Sequence, residues 1–177
     1  YPNEPILYNI SGVCYKQLQQ LEAAVKSYEK ALEIKPDYAE AQCNLGVTLS
    51  DLGQLDVAIK HFETALAIEP DYAGAHYNIG NTLRDLRQLD EAVKHYKQAL
   101  VIKPDYVDVH CNLGVTLKVL GQLGAAVKYF EQALVIKPDY PEVHYNLGNT
   151  LSSLGQLDAA VEHFEKALFI KSDYPEA

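Results

Sequence analysis

The sequence predicts an all-α solenoid made of five helix-turn-helix repeats. A Lys-Pro-Asp-Tyr tetrapeptide or a close variant returns every 34 residues, and between its copies apolar residues recur at the three- and four-residue steps of two amphipathic helices. A fixed period of this length is typical of units that bury their apolar faces only by stacking on their neighbours. The five copies of the tetrapeptide lie at residues 35–38, 69–72, 103–106, 137–140 and 171–174.

The repeats fill nearly all of the 177 residues, so we expect a single array over residues 1–177. The chain opens at Tyr1 without a methionine, where the end of an earlier repeat would lie, and we expect it to be a fragment of a larger protein. The predicted repeats span approximately residues 5–38, 39–72, 73–106, 107–140 and 141–174.

Composition narrows the class of partner. The net charge is −9, and the 15 lysines and arginines are scattered through the period, which disfavours nucleic acid. No apolar run approaches the roughly 18 residues of a bilayer-spanning helix, so we expect no membrane partner. The three cysteines lack metal-type spacing, and Cys43 and Cys111 lie two repeats apart, too far for a disulfide. This pattern predicts free thiols and a reducing compartment such as the cytoplasm.

Glycine marks the turn between the two helices of a repeat. Gly53, Gly121 and Gly155 follow the first helix of their repeats, where a left-handed backbone is easiest for glycine. Gln19 and Arg87 take the same position in other repeats. We expect each of them to cost about 1 kcal/mol relative to glycine.

Proline and aspartate mark the joint between repeats. The proline of the tetrapeptide is predicted to end the second helix, and the aspartate after it to cap the next first helix. Asp37 with Glu40 and Asp139 with Glu142 have capping-box spacing, and Ser172 replaces the proline in the last copy.

Small residues recur in both helices of every repeat. In the pattern, a glycine column of the first helices faces an alanine column of the second helices. This predicts a close approach of the two backbones and a cost for any larger side chain. The columns are Gly12, Gly46, Gly80, Gly114 and Gly148, and Ala24, Ala58, Ala92, Ala126 and Ala160.

The apolar and small residues that recur in register resemble the tetratricopeptide repeat signature, whose helix-turn-helix units have this period. The resemblance covers nearly the whole chain and departs in the first copy, where Ser11 precedes Gly12. It implies a right-handed superhelix whose first helices line the concave side and whose second helices form the convex side. In the second repeat the signature residues are Leu45, Gly46, Ala58, Phe62, Ala65 and Pro70.

One column of the first helices is asparagine in four repeats: Asn44, Asn78, Asn112 and Asn146, with Ile10 in the first. Because a carboxamide both donates and accepts hydrogen bonds, such a column can bind the main chain of an extended peptide. Layers about 8 to 10 Å apart match about three extended residues. The column resembles the asparagine ladder of the O-linked N-acetylglucosamine transferase superhelix, which holds substrate peptides in this way. The alternative is that it reflects repeat ancestry or makes local hydrogen bonds.

Other positions predicted on the concave side vary between repeats. Along one column of the exposed stripe, Cys43 and Cys111 alternate with Tyr77 and Tyr145, and the tyrosines either anchor a bound segment or pack beside the neighbouring helix. The lysines and arginines of a carboxylate clamp are absent from that column, which disfavours a strongly acidic ligand. The predicted peptide-binding residues are Asn44, Asn78, Asn81, Asn112, Asn146, Asn149, Tyr77, Tyr145, Arg84 and Lys118.

Neither a metal nor a cofactor is predicted. Like histidines of one column lie a layer apart, whereas zinc ligands lie about 2 Å from the ion. No glycine-rich phosphate loop, nucleophile elbow or His-Glu-x-x-His motif occurs, so we expect no enzymatic activity of this chain. The histidine columns are His76, His110 and His144, and His61, His95 and His163.

Three functions remain open. The first is a protein–protein interaction module that binds an extended peptide or partner segment in its concave groove. The second is a scaffold that associates with itself end to end, because neither terminal repeat carries a polar capping helix. The third follows from the family resemblance: a substrate-presenting domain of a larger glycosyltransferase- or sulfotransferase-type enzyme.

Overall fold

A computed structural model describes residues 4–172, and over these residues the chain forms ten α-helices and no strand. The all-α class and the repeated helix pairs are as predicted. The helices fall into two compact units, Tyr1–Gln88 and Leu89–Ala177, and the boundary lies between the two helices of the third predicted repeat. Tyr1 and the last tetrapeptide's Asp173 and Tyr174 lie outside the described residues.

The first unit holds five helices, in which α1 pairs with α2 and α3 pairs with α4. The next first helix then packs onto that pair, so that α3 contacts both α2 and α1, and α5 contacts both α4 and α3. This is the stacking of a helical solenoid. The helices are α1 (Pro5–Gln17), α2 (Leu21–Ile34), α3 (Ala39–Asp51), α4 (Leu55–Ile68) and α5 (Ala73–Asp85).

The second unit repeats this arrangement with α7 against α8 and α9 against α10. Here α9 packs onto both α8 and α7, and α7 packs onto α6. The helices are α6 (Leu89–Ile102), α7 (Val107–Val119), α8 (Leu123–Ile136), α9 (Pro141–Ser153) and α10 (Leu157–Ser172).

The turn inside each repeat has the predicted left-handed residue. Gly53, Gly121 and Gly155 have φ of +76°, +74° and +76°. Gln19 and Arg87 hold the same conformation with φ of 59° and 63°, and they are the non-glycine residues with positive φ in the described part of the chain. The predicted strain at these two positions therefore has a backbone basis.

The predicted aspartate caps are wrong. The residue before α3 is Tyr38 rather than Asp37, and it makes no side-chain capping bond. Its carbonyl oxygen instead accepts the backbone N–H of Gln42 at 3.0 Å. The Lys35 ammonium lies over the Tyr38 ring, 5.1 Å from its centroid, so the tetrapeptide stabilises the joint through a cation–π contact. Lys103 and Lys137 lie over Tyr106 and Tyr140 in the same way.

The helix ends agree with the predicted role of proline. Second helices of earlier repeats end at Ile34, Ile68 and Ile136, two residues before a proline. In the last repeat α10 continues to Ser172, the residue that replaces that proline. Among residues 4–172, no helix combines the length and apolarity needed to cross a bilayer.

The glycine column of the first helices packs against aromatic rings, which corrects the predicted partner. A Cβ atom added to Gly12, Gly46, Gly114 or Gly148 would lie 2.5 to 2.8 Å from the nearest ring carbon. The residues of the alanine column are also buried. Close approach of the helices is as predicted, but it is an aromatic edge that fills the space beside the glycine. The rings belong to Tyr28, Phe62, Phe130 and Phe164.

Candidate functional site

The four asparagines of the first helices are all half-buried. The backbone of each is tied to the next helical turn, because a buried threonine hydroxyl donates to the asparagine carbonyl oxygen at 2.7 to 2.9 Å. The backbone carbonyl of each asparagine therefore accepts a side-chain hydrogen bond in addition to its helical environment. The threonines are Thr48, Thr82, Thr116 and Thr150.

In the first unit the asparagine side chains reach back to the preceding repeat. Asn44 Nδ2 donates to Asn9 Oδ1 at 3.0 Å, and Asn78 Nδ2 donates to Cys43 Sγ at 3.3 Å. Both acceptors lie 35 residues earlier, at the same place in the preceding first helix. The column therefore makes local hydrogen bonds at these two joints, which is one of the roles considered from the sequence.

Asn9 is a buried polar residue that sequence reasoning missed. It is 2% exposed, accepts from Asn44, and donates to Tyr38 Oη at 3.3 Å and to Glu40 Oε1 at 3.2 Å. Burial, followed by the nearby Glu40 carboxylate, raises the pKa of Tyr38. One feature of the sequence could have predicted this role. Asn9 occupies the cysteine–tyrosine column, and the next residue, Ile10, stands where other repeats carry asparagine.

Cys43 and Cys111 do not lie on the exposed face, which corrects their predicted place there. They are 4% and 9% exposed. Burial raises the pKa of the Cys43 thiol, so it stays protonated and inert at neutral pH. Cys14, Cys43 and Cys111 are all thiols without a disulfide, as predicted.

The two tyrosines of that column differ in exposure. Tyr77 is half-buried, whereas Tyr145 is 57% exposed. The Tyr145 ring lies 6.0 Å from the Phe164 ring, centroid to centroid. Both rings border an apolar cavity of about 640 Å³ whose rim also carries Glu142 and Lys171. Tyr145 thus packs partly on its own repeat and keeps more than half its surface accessible.

The remaining predicted residues are half-buried polar side chains. Arg84 pairs with its neighbour Asp85 at 3.2 Å. Asn149 accepts the Ser153 hydroxyl at its backbone oxygen, at 2.9 Å. Asn81 and Lys118 are also half-buried. The predicted site therefore consists of partly accessible amides with few strong charges.

A different polar feature lies between the first and second helices of a repeat. The histidine columns of the sequence, taken one at a time, do not predict it. Residues 19 apart in one repeat face each other between its first and second helix. Gln42 Oε1 lies 2.7 Å from His61 Nδ1, and His144 Nδ1 lies 2.9 Å from His163 Nδ1. The constant 19-residue spacing between these positions is the sequence feature that could have predicted the pairs. Within residues 4–172, no group of three or more potential metal-ligating side chains occurs.

The chain matches family models of the tetratricopeptide repeat along almost its whole length. A model described as TPR repeat matches residues 12–53, 48–86, 80–121 and 117–155. A model described as Tetratricopeptide repeat matches residues 141–174. No match to a curated protein was found.

Several solved structures share the fold. MamA from Desulfovibrio magneticus RS-1 is 20% identical with a TM-score of 0.85, and the alignment covers 97% of each chain. PilF of Pseudomonas aeruginosa is 25% identical with a TM-score of 0.87, covering 93% of this chain and 75% of that one. YrrB, whose structure is described as a TPR protein with an unusual peptide-binding site, is 24% identical with a TM-score of 0.75, covering 97% and 89%.

Proposed function

Because the chain belongs to the tetratricopeptide repeat family and is a protein–protein interaction module, we propose that it binds an extended peptide along its first helices. The asparagine column contacts the main chain of the peptide, and Tyr145 contributes an apolar contact. The fold class implies protein partners. YrrB, which shares this fold and is described as having an unusual peptide-binding site, supports a peptide as the form of partner.

The observation that carries this proposal is the hydrogen bond from each first-unit asparagine to the preceding repeat. When Nδ2 donates into the joint, the plane of the amide is held in one orientation. The Oδ1 atom, bonded to the same carbon, then points away from that partner and accepts a peptide N–H without a further loss of rotamer entropy. The local role and the peptide-binding role are therefore compatible.

Charge favours a peptide that is not strongly acidic. Arg84 is paired with Asp85, and Lys16 with Asp51 at 3.0 Å, so these basic groups are already partly neutralised. A neutral amide column has no preference for charged side chains. Sequence-tolerant recognition of main chain is the mode that such a surface supports.

The test compares two double variants of the second unit. One removes side-chain amides from its first helices, and the other removes side-chain amides from its second helices. A peptide of about six residues, selected from a displayed random library, is titrated against the wild type and the variant Asn112→Ala with Asn146→Ala. This length covers about two layers of three residues, the number that α7 and α9 of the second unit supply. We expect at least a tenfold loss of affinity, because each lost hydrogen bond is worth about 1 kcal/mol.

The matched control removes two amides from second helices, with Gln98→Ala and Gln132→Ala, at exposed positions of the same unit. It should leave the affinity unchanged. Equal affinity of both double variants and the wild type, at equal stability, would remove the asparagine column from the mechanism.

Self-association is a second candidate, and two exposed residues, one in each terminal repeat, favour it. Ile10 stands where other first helices carry the joint-forming asparagine, and Tyr145 stands where the acceptors Asn9 and Cys43 stand. Both side chains are exposed, at 51% and 57%. A head-to-tail contact between two copies places these apolar side chains together in the register of an internal joint.

Light scattering tests this second candidate. We expect the mass of the wild type to rise with protein concentration. The mass of the Tyr145→Asp variant should stay that of a monomer over the same range. A constant monomer mass for the wild type over the same range would reject it. Substrate presentation within a larger enzyme would use the same peptide-binding face and rests on the family resemblance alone.

A further inference from the structure

His144 and His163 share one proton in a geometry set by the backbone. His144 is 6% exposed, and its Nε2 lies 2.9 Å from the carbonyl oxygen of Pro138. Because a carbonyl only accepts, Nε2 carries the hydrogen, and a neutral His144 therefore has a bare Nδ1. That Nδ1 lies 2.9 Å from His163 Nδ1, which must be the donor. The His144 lone pair is thus aimed at a second imidazole.

This is the arrangement of a metal-ligating histidine before the metal arrives. Ligating histidines commonly donate their other ring N–H to a backbone carbonyl, which fixes the tautomer. Two nitrogens bound at right angles to an ion at about 2.05 Å lie about 2.9 Å apart, and about 3.3 Å apart in a tetrahedral site. The 2.9 Å of the present hydrogen bond is close to the right-angled value, so the two nitrogens need to move little to reach the geometry that Ni²⁺ and Cu²⁺ prefer with nitrogen and oxygen ligands.

The surroundings admit and attract a cation. The pair borders a groove of about 890 Å³ between α8 and α10, on the second-helix side of the unit. Its lining carries four carboxylates and one ammonium group, an excess of negative charge that raises the local cation concentration. His163 is half-buried and lines this groove, so its ring is accessible from the groove. The charged residues are Glu131, Asp139, Glu162, Glu165 and Lys166.

The equivalent pairs in the second and fourth repeats lack one imidazole. The second repeat has Gln42 with His61. The fourth has His110 with Tyr129, whose ring centroids lie 6.0 Å apart. There His110 Nε2 is again held by a carbonyl, that of Pro104 at 2.8 Å, and in the described part of the chain His110 Nδ1 is buried without a hydrogen bond. These repeats supply natural comparisons for the His144 pair.

We propose that His144 and His163 form a binding site for a late first-row divalent cation, Ni²⁺ or Cu²⁺, with water filling the remaining positions. Binding requires the hydrogen of His163 to move from Nδ1 to Nε2, so each neutral imidazole keeps one hydrogen and no net proton is released. His144 keeps its bond to the Pro138 carbonyl, and the His163 ring turns within the groove until both Nδ1 lone pairs point at the ion. The site belongs to the second-helix side and is separate from the peptide-binding face proposed above.

Titration calorimetry with NiCl₂ at neutral pH tests the site on the tag-free chain carrying Cys14→Ser and His76→Gln. The first change removes an exposed thiol, and the second removes the other histidine pair with the 19-residue spacing, His76 with His95. We expect one Ni²⁺ per chain without net proton release, because each neutral imidazole keeps one hydrogen. Adding His144→Gln recreates the Gln–His pair of the second repeat, which should preserve the fold and weaken Ni²⁺ binding at least tenfold.

A gain-of-site variant gives the converse test. Tyr129→His places a second imidazole beside the unpaired Nδ1 of His110, and the stoichiometry should rise from one to two. Unchanged Ni²⁺ binding after His144→Gln, in a variant whose melting curve matches its parent, would overturn the proposal. So would equal binding of Mg²⁺, because that ion would report the carboxylates rather than the imidazoles.

Discussion

Gly114 lies against the edge of the Phe130 ring, so that a Cβ atom added to Gly114 would lie 2.7 Å from Phe130 Cε1. Phe130 is fully buried and has no room to retreat. The contact joins the first and second helix of the fourth repeat. The same contact recurs at Gly12, Gly46 and Gly148, which explains why these positions also carry glycine rather than alanine.

Gly114→Ala should therefore destabilise the protein by about 1 to 3 kcal/mol, and Gly114→Leu by more, with a melting temperature lower by several degrees. Gly124→Ala is the matched control. A Cβ atom there meets nothing within 4 Å, and alanine in a helix is favoured by about 1 kcal/mol. Chemical unfolding measures both. Equal stabilities of the two alanine variants would contradict the packing described here.

Gln19→Gly should stabilise the protein by about 1 kcal/mol, because Gln19 holds a left-handed backbone with φ of 59°. Gln20→Gly changes the same residue type one position later, where φ is −92° and glycine only adds entropy to the unfolded chain. The denaturation midpoint should rise for the first variant and fall for the second. A fall for both would mean that Gln19 is not strained.

Asn9→Ala should destabilise the protein by about 1 to 3 kcal/mol. The substitution leaves the Asn44 amide without its acceptor and removes the donor to Tyr38 and Glu40, all near a buried position. Ile10→Asn is the adjacent control at an exposed position and should change the stability little. Urea unfolding compares the two. A neutral Asn9→Ala would show that the hydrogen bonds at this joint carry no net stability.

Stability should fall on acidification in a manner that depends on His163. Burial, followed by the neighbouring His144 and Lys166, lowers the pKa of His163, and Glu162 only partly opposes this. The folded state therefore binds fewer protons than the unfolded state, whose histidines titrate near about 6.5. The contribution of His163 is fully present above about pH 6.5 and is lost as the pH falls through its lower folded pKa.

The free energy of unfolding, measured from about pH 8 to about pH 5, should decline less steeply in His163→Gln than in the wild type. Glutamine at that position keeps a polar side chain beside His144 but does not titrate. Parallel pH profiles of the two proteins would contradict the assigned shift.

Much of the fold follows from the period alone. The helix pairs, their ends before proline and the left-handed turns at Gly53 and Gln19 depend on local backbone preferences, which a repeated sequence displays several times over. The aspartate cap failed because α3 starts two residues after Asp37, so the Asp37 side chain is too early to reach its first turn.

The features that failed or were missed depend on contacts between helices. Cys43 reads as exposed on the isolated helix α3, yet it is buried where Asn78 of α5 donates to it. The His144–His163 pair requires knowing how α9 and α10 are rotated about their axes. The pattern of apolar residues in one helix predicts which face of that helix is buried. It does not predict which residues of two helices contact each other, and these sites lie at such contacts.

The central claim is that the asparagine column binds peptide main chain, and a backbone-modified peptide tests it most directly. The library-selected peptide is compared with copies that are N-methylated at single positions, which removes one N–H without altering a side chain. We expect at least a tenfold loss of affinity at positions about three residues apart and little change between them, because one layer spans about three extended residues. Equal affinity for every methylated copy would contradict main-chain recognition.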